Sequence, residues 1–508
     1  MALYIKNFSG LLLGVLLFSG ILFLLPDALM PEPAQRMAAI TGLMAIWWVT
    51  EAIPIAATAL VPIVLFPLLK IMPTAEVTIN YGHHLVFLFL GGFTLALTIE
   101  RWNLHKRIAL NIIRLLGTNP RLIILGFMIA TAFLSMWISN TATTMMMIPI
   151  GLAIVKEISS DSDEGVFSRG KNNFALALML GIAYGASIGG ISTLIGTPPN
   201  VVFVGMLKSN FPGAPEISFL QWMIFALPFS ILFLPIAWFY LTYIAAPVAT
   251  QKEKIHTATI DEQLRNLGAM TPAEKATLII FLITAFLWMF RNSINLGIFS
   301  ITGWAPLLEL DNFVQDSTVA VFMALLTFII PVRQGAKRTH LMEWSFMRKI
   351  PWGILLLFGG GFALASGFQQ SGLTQWLGEQ LSTFQYLPLM LIIIIICTMT
   401  TFTTEFASNT AMASTILPIL AALAVALNVN PILFMIPATI SSSTAFMLPV
   451  ATPPNAIVFG SGYIQMRDMV RIGVVMNVIG LILITLLMLT MAAPVFDINW
   501  NVLPAWAK

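Results

Sequence analysis

Long apolar runs separated by short polar breaks make up almost the whole chain, and none alternates with the period of two that marks a strand. Runs of this length and uniformity predict α-helices that cross a membrane. In the first half they predict spans near 9–25, 36–50, 54–69 and 84–100, an amphipathic segment at 102–116, a hairpin at 120–156, and spans at 173–210 and 218–246. A polar linker follows at 249–273. The second half predicts spans near 275–291, 317–331 and 350–369, a surface segment at 373–384, a hairpin at 386–426, and spans at 431–463 and 468–493. The expected fold is therefore an all-α polytopic membrane protein with about eleven crossings. Two hairpins would enter the membrane without crossing it.

The two halves repeat each other. Ser-Asn-Thr-Ala stands at Ser139–Ala142 and again at Ser408–Ala411, and LFLGGFTLA from Leu88 matches LFGGGFALA from Leu357 at the same offset. Thr-Pro-Pro-Asn follows in both halves, at Thr197–Asn200 and Thr452–Asn455. Proline lacks an amide hydrogen and keeps the residue before it out of helical geometry, so the spans 173–210 and 431–463 should be broken there. Matched polar breaks in two hydrophobic halves point to the substrate site of a secondary transporter. The repeats would be 1–248 and 274–508, joined by the linker.

Composition narrows the class. The chain is 58% hydrophobic and 9% charged, with a mean hydropathy of +0.90. These values exclude an ordinary soluble protein. The net charge of +3 is dispersed between apolar segments, which gives no nucleic-acid signal. The lone Cys397 allows no intrachain disulfide, and no phosphate-binding loop is present to couple ATP. The run from Phe8 to Leu25 lacks a convincing cleavage site after it and reads as the first span.

Charge orients the helices. With the N-terminus in the cytoplasm, all 25 Lys and Arg fall inside except Arg36, Lys70, Lys208, Arg291 and Lys508. Lys6, Arg169, Lys171, Lys252 and Lys254 are among the inner residues. The first LFLGGFTLA run is followed by the basic RWNLHKRIALNIIR, the second by QQSGLTQWLGEQL, which has no Lys or Arg. Equivalent helices thus end on opposite sides. The repeat is expected to be inverted, with hairpins dipping in from opposite faces.

A Ser-Asn-Thr hairpin tip is a helix start, where free amide hydrogens and the positive dipole end suit a carboxylate. Two such tips suggest a ligand with two anionic groups. No Lys or Arg lies near either tip, so cations must balance the charge. The hydroxyls of Ser135 and Thr404 lie about one turn before the tips, and the broken loops offer carbonyls beside Gly196 and Ala451. Hydroxyl, amide and carbonyl oxygens suit a hard cation, giving one site per repeat.

The paired Ser-Asn-Thr motifs, WWVTEAIP at Trp47–Pro54, ERWNLHKRIAL at Glu100–Leu110, GTPPN and TEFASNTA resemble the divalent anion:sodium symporter family over essentially the whole chain. The resemblance implies a homodimer in the plasma membrane, with a fixed scaffold and a transport domain that moves like an elevator. It implies Na+ as the co-transported ion, no organic cofactor, no enzymatic activity, and a C4-dicarboxylate as substrate. A sodium-independent exchanger, or a symporter for citrate or sulfate, would share this architecture. Carried over by position, substrate contacts fall on Asn140, Thr141, Asn409, Thr410, Thr452 and Pro453. One sodium site falls on Ser135, Ser139, Asn140 and Gly196, the other on Thr404, Ala407, Asn409 and Ala451. Glu51 and Glu405 read as structural, because a further negative charge would oppose a dianion; His83 and His84 read as packing. The basic 101–121 segment reads as an amphipathic helix on the inner leaflet.

Overall fold

Proline marks where many helices begin. It stands at the first or second position of Glu32–Thr50, Pro120–Ser135, Pro198–Asn210, Pro272–Met289 and Pro453–Phe459, where its missing amide hydrogen costs nothing. The computed structural model describes residues 2–26, 29–117, 119–160, 169–248, 258–295, 300–335 and 337–508. Among these, seven helices are long and apolar enough to cross a membrane, and shorter apolar helices, such as Pro120–Ser135 and Leu389–Thr403, accompany them. The all-α polytopic architecture expected from the apolar runs is therefore what the chain adopts.

Both predicted hairpins form. Pro120–Ser135 turns back into Asn140–Ser160, and Leu389–Thr403 turns back into Asn409–Ala426. Both predicted breaks form as well. Arg169–Ile191 stops and Pro198–Asn210 restarts; Ile432–Ser442 stops and Pro453–Phe459 restarts. The expected span at 54–69 is instead two pieces, Ile55–Thr58 and Val61–Leu68, because Pro62 interrupts the run and opens the second piece. The linker is only partly irregular: residues 249–257, with Lys252 and Lys254, lie outside the described residues, whereas Ala258–Leu267 is a helix. Among the described residues, the strands pair antiparallel as Ile294–Asn295 with Ser300–Ile301 and as Pro331–Gln334 with Lys337–His340.

The core is organised around Arg169–Ile191. From Phe174 onward every residue of its apolar stretch is buried, as expected for a helix that is hydrophobic on all sides. Gly181, Gly185 and Gly189, spaced four apart, form a small-residue ridge on which the first hairpin's descending helix lies. A β-carbon on Gly185 would stand 2.8 Å from Met128 O, and one on Gly189 would stand 2.2 Å from Ala132 O. Helices that cannot gain from the hydrophobic effect in lipid associate through such close backbone approach.

Charge brackets the bundle. Pro272–Met289 has 18 residues, about 27 Å of helix, close to the ~30 Å hydrocarbon thickness of a bilayer. At its start Glu274 pairs with Arg107 at 3.0 Å, and Arg107 Nη1 also donates to Gly268 O at 3.0 Å. Just beyond its end Arg291, 1% exposed, pairs with Asp316 and Glu216, each at 2.6 Å. Asp316 accepts in turn from Phe219 N, so three helices are tied at one point. The helix Leu104–Leu115 is amphipathic as expected, and its apolar side packs on Pro120–Ser135. Its Arg114 reaches Asp261 of the linker helix at 3.1 Å.

Gly189→Val should prevent the first hairpin from seating, since the obstacle is backbone that cannot swing aside. The expected outcome is loss of monodisperse protein on size-exclusion chromatography in mild detergent. Gly82→Ala, where a β-carbon would meet nothing within 4 Å, should leave the profile unchanged.

Candidate functional site: two hairpin tips and two helix breaks

The first tip is built by Ser139, whose side-chain oxygen accepts from Ala142 N at 3.3 Å and so caps the ascending helix. Asn140 then points back toward the break in Arg169–Asn210. Two backbone carbonyls face its amide and require the nitrogen to lie toward them: Ala186 O at 3.3 Å and Gly196 O at 3.2 Å, with Ser135 Oγ 2.6 Å from the same atom. Glycine is needed on the facing wall. A β-carbon at Gly190 would lie 2.4 Å from the Asn140 side chain, and one at Gly196 would lie 2.4 Å from Gly190 O and 2.9 Å from Ser135 O. Ser135, Asn140 and Gly196 are thus brought into one oxygen-rich cage, with Ser139 beside it as the cap.

The second tip repeats the design with other atoms. Thr404 Oγ1 lies 3.0 Å from Asn409 Oδ1 and donates to Ser442 O at 2.9 Å. Ala407 N closes the turn onto Thr404 O at 3.4 Å. Ser408 stands at the helix start without a side-chain cap, unlike Ser139. Ala451 is buried in the second break, and its N–H donates to Leu448 O at 3.2 Å. Thr452 caps the restarted helix by accepting from Asn455 N at 3.3 Å, and Pro453 beside it is exposed. Thr141 is half-buried and Thr410 is buried, each on the first turn behind its Asn. The halves interlock: Asn140–Ser160 packs on Pro453–Phe459, and Asn409–Ala426 packs on Pro198–Asn210.

What holds the breaks open was only partly legible in the sequence. Asn200 Nδ2 donates to Gly190 O, Ile191 O and Thr193 O at 3.3, 3.2 and 2.7 Å. Asn455 Nδ2 does the same for Ala445 O and Leu448 O, both at 3.1 Å. The Asn of each Thr-Pro-Pro-Asn is therefore a brace for freed carbonyls. Glu405, 1% exposed, braces freed amides: it accepts from Phe446 N, Met447 N and Leu448 N at 2.8, 3.0 and 3.0 Å, and from Asn477 Nδ2 at 2.7 Å. Its structural reading is upheld by this geometry. Asn477 was missed, and its signal was a lone amide inside the apolar helix Met466–Leu487. Glu51 ends the helix Glu32–Thr50 in the left-handed region at φ 50°. His83 packs on Phe362 and His84, with ring centroids 4.9 and 4.4 Å away.

The family model described as the sodium:sulfate symporter transmembrane region matches residues 5–498. The chain is 44% identical over 490 residues to the sodium-dependent dicarboxylate transporter SdcS of Staphylococcus saprophyticus, covering 96% of this chain and 92% of that protein. It is 44% identical over 493 residues to SdcS of Staphylococcus aureus, covering 97% and 92%. Among solved structures, the fold resembles the Alcanivorax borkumensis YdaH transporter, with a TM-score of 0.57 at 12% identity over 93% of this chain and all of that one. It also resembles Neisseria gonorrhoeae MtrF, with a TM-score of 0.53 at 11% identity over 93% and 96%.

Glu405→Ala should unfold the second break, because each buried amide left without an acceptor costs about 1–3 kcal/mol. Glu405→Gln keeps one carbonyl acceptor and should lose less. Thermal unfolding of the purified protein should rank wild type above Glu405→Gln above Glu405→Ala. Equal midpoints for all three would remove the brace.

Proposed function

The chain belongs to the sodium:sulfate symporter family, a family of membrane transporters and not of enzymes, and from this we propose that it imports C4-dicarboxylates such as succinate, malate or fumarate with sodium. The observation that carries the reading is the duplicated cage. In each half a hydroxyl, an Asn amide and a carbonyl of a broken helix converge beside a hairpin tip. At the first tip the amide nitrogen satisfies Ser135 Oγ and Gly196 O. With Oδ1 turned inward, Asn140 would join those same oxygens as a cation ligand. Thr404 Oγ1, Asn409 Oδ1 and Ser442 O offer a matching set, to which Ala407 and Ala451 would add backbone carbonyls. Na+ enters here as cargo, and the donor chemistry fits it.

Electrostatics favours coupling. No Lys or Arg occurs between Arg121 and Lys156, between Lys171 and Lys208, or between Lys349 and Arg467. These intervals contain both tips and both breaks. A dianion at such a site lacks a fixed counter-charge, and its entry against 100 mV costs about 4.6 kcal/mol. Two sodium ions make the cycle electroneutral. The substrate would lie across the tips, on Asn140, Thr141, Asn409, Thr410, Thr452 and Pro453. The names of the Staphylococcus relatives point to the same cargo and ion. The reading extends to a homodimer in the bacterial plasma membrane, N-terminus inside, with the repeats 1–248 and 274–508 inverted and the hairpins moving as an elevator.

Succinate uptake into proteoliposomes tests the proposal. Uptake should need an inward sodium gradient and collapse in choline or potassium buffer; full uptake without sodium would leave an exchanger instead. Citrate and sulfate, added as competitors, should inhibit weakly. Asn140→Ala and Asn409→Ala should each abolish uptake while the protein still inserts, because each amide serves both anion and cation.

Sidedness has its own test. In a Cys397→Ser background, a cysteine at Asn111 should react only from the cytoplasm and one at Gln385 only from outside. Labelling of both from one side would refute the inverted repeat.

A further inference from the structure

A polar cavity lies away from both tips. It has a volume of about 860 Å³ and runs between Asn173 on the central helix, Ala245 and Pro247 at the end of one long helix, and the start of another at Tyr463–Arg471. Met466–Leu487 opens into it and carries Arg467 and Arg471 in its first two turns, both exposed. Arg471 Nη2 donates to Ala245 O at 3.2 Å, which fixes one guanidinium on the wall. Arg121, outside the lining, sits on the same helix end, its guanidinium 4.0 Å from the Tyr243 ring and its Nε bonded to Val248 O at 2.8 Å. Asp468 is the acidic group on the lining. The cavity is therefore basic.

The surface that continues from it is apolar. Below the arginines, Val474, Val478, Ile482 and Leu486 are all exposed and recur every four residues on one helix face. That row extends about 18 Å, close to the depth of one leaflet's hydrocarbon. The facing helix, Phe219–Phe239 with its continuation Tyr240–Ala245, packs alongside and exposes Ile236, Phe239 and Tyr243. Phe239 and Tyr243 stack at 4.8 Å, and the tyrosine, with an apolar ring and a polar hydroxyl, suits a membrane interface. A soluble anion uses the basic cavity and ignores the apolar row. An amphiphile with a negative head uses both.

We propose that this groove binds an anionic phospholipid, its phosphate between Arg467 and Arg471 and its acyl chains along the exposed row. The inner leaflet, where such lipids concentrate, is the leaflet that the proposed orientation gives these residues; binding itself does not depend on the transport reading. The cavity lining includes none of the tip or break residues, so the lipid is not a competitor for cargo.

The test uses the full-length protein in phosphatidylcholine nanodiscs doped with phosphatidylglycerol, with retained lipid counted by native mass spectrometry. Wild type should retain phosphatidylglycerol selectively. Arg467→Gln with Arg471→Gln should lower that retention about tenfold or more, as expected for two lost cationic contacts. Arg467→Gln alone leaves the Arg471–Ala245 bond in place and should still show a severalfold loss, which covers the case of a double variant that fails to fold. Arg348→Gln, an exposed arginine elsewhere, should change nothing. Equal retention by wild type and Arg467→Gln would overturn the proposal. Displacement of the lipid by millimolar inorganic phosphate would also overturn it, in favour of a soluble-anion site. Loss of uptake with intact lipid retention would count against the transport reading and not against this one.

Discussion

A peptide group inside a hydrocarbon layer must find its hydrogen-bond partner within the protein. Every unusual feature of this chain answers that demand at two places where the helix stops halfway. Each break frees carbonyls on one side and amides on the other. Asn200 and Asn455 gather the carbonyls, and in the second half Glu405 gathers three amides. A carboxylate at the centre of a membrane bundle is costly unless its oxygens are fully engaged. Here the backbone supplies three donors and Asn477 a fourth, so the charge is spent on the fold and is not offered to the cargo.

The braces and the cages share atoms, which makes the site an outgrowth of the break. Gly190 O is held by Asn200 while Gly190 itself leaves room for Asn140. Ser442 ends the helix before the second break, and its carbonyl is the one that Thr404 bonds. The two halves reach the same arrangement with different parts. Ser139 caps its hairpin helix where Ser408 does not, and Thr452 caps its restarted helix where Thr197 does not. A duplicated sequence has therefore kept the geometry of its site more faithfully than the individual hydrogen bonds.

Packing between the halves completes the arrangement. Each ascending hairpin helix rests on the restarted helix of the opposite half, which locks the two repeats together behind their tips. The salt bridges that close the membrane-length helix stand at the rim. Arg107 with Glu274 closes one end of a membrane-length helix, and Arg291 with Asp316 and Glu216 closes the other. Between those belts the bundle relies on close approach at Gly185 and Gly189 and on buried hydroxyls bonded to the turn before them, as Thr94, Thr131 and Thr439 are.

The sequence by itself determined the helical class, the two breaks at Thr-Pro-Pro-Asn, both hairpins and the duplication, because hydrophobic run length and proline position act locally; it did not show that the span at 54–69 would be two pieces. It also pointed to Ser135, Asn140, Thr404 and Asn409, since a polar residue repeated in two apolar contexts is hard to explain as packing. Only the tertiary structure decided what those residues face. The partners lie far along the chain: Asn140 meets Gly196, Thr404 meets Ser442, and Glu405 meets Phe446 and Asn477. No local signal encodes such a pairing. The same holds for the helix within the linker, whose apolar side has meaning only once Leu104–Leu115 lies against it. It holds too for the basic groove, where Arg471 meets Ala245 across most of half the chain. Local chemistry sets which segments can be helix, and the requirement to satisfy buried polar groups between segments distant in the chain sets where they come together.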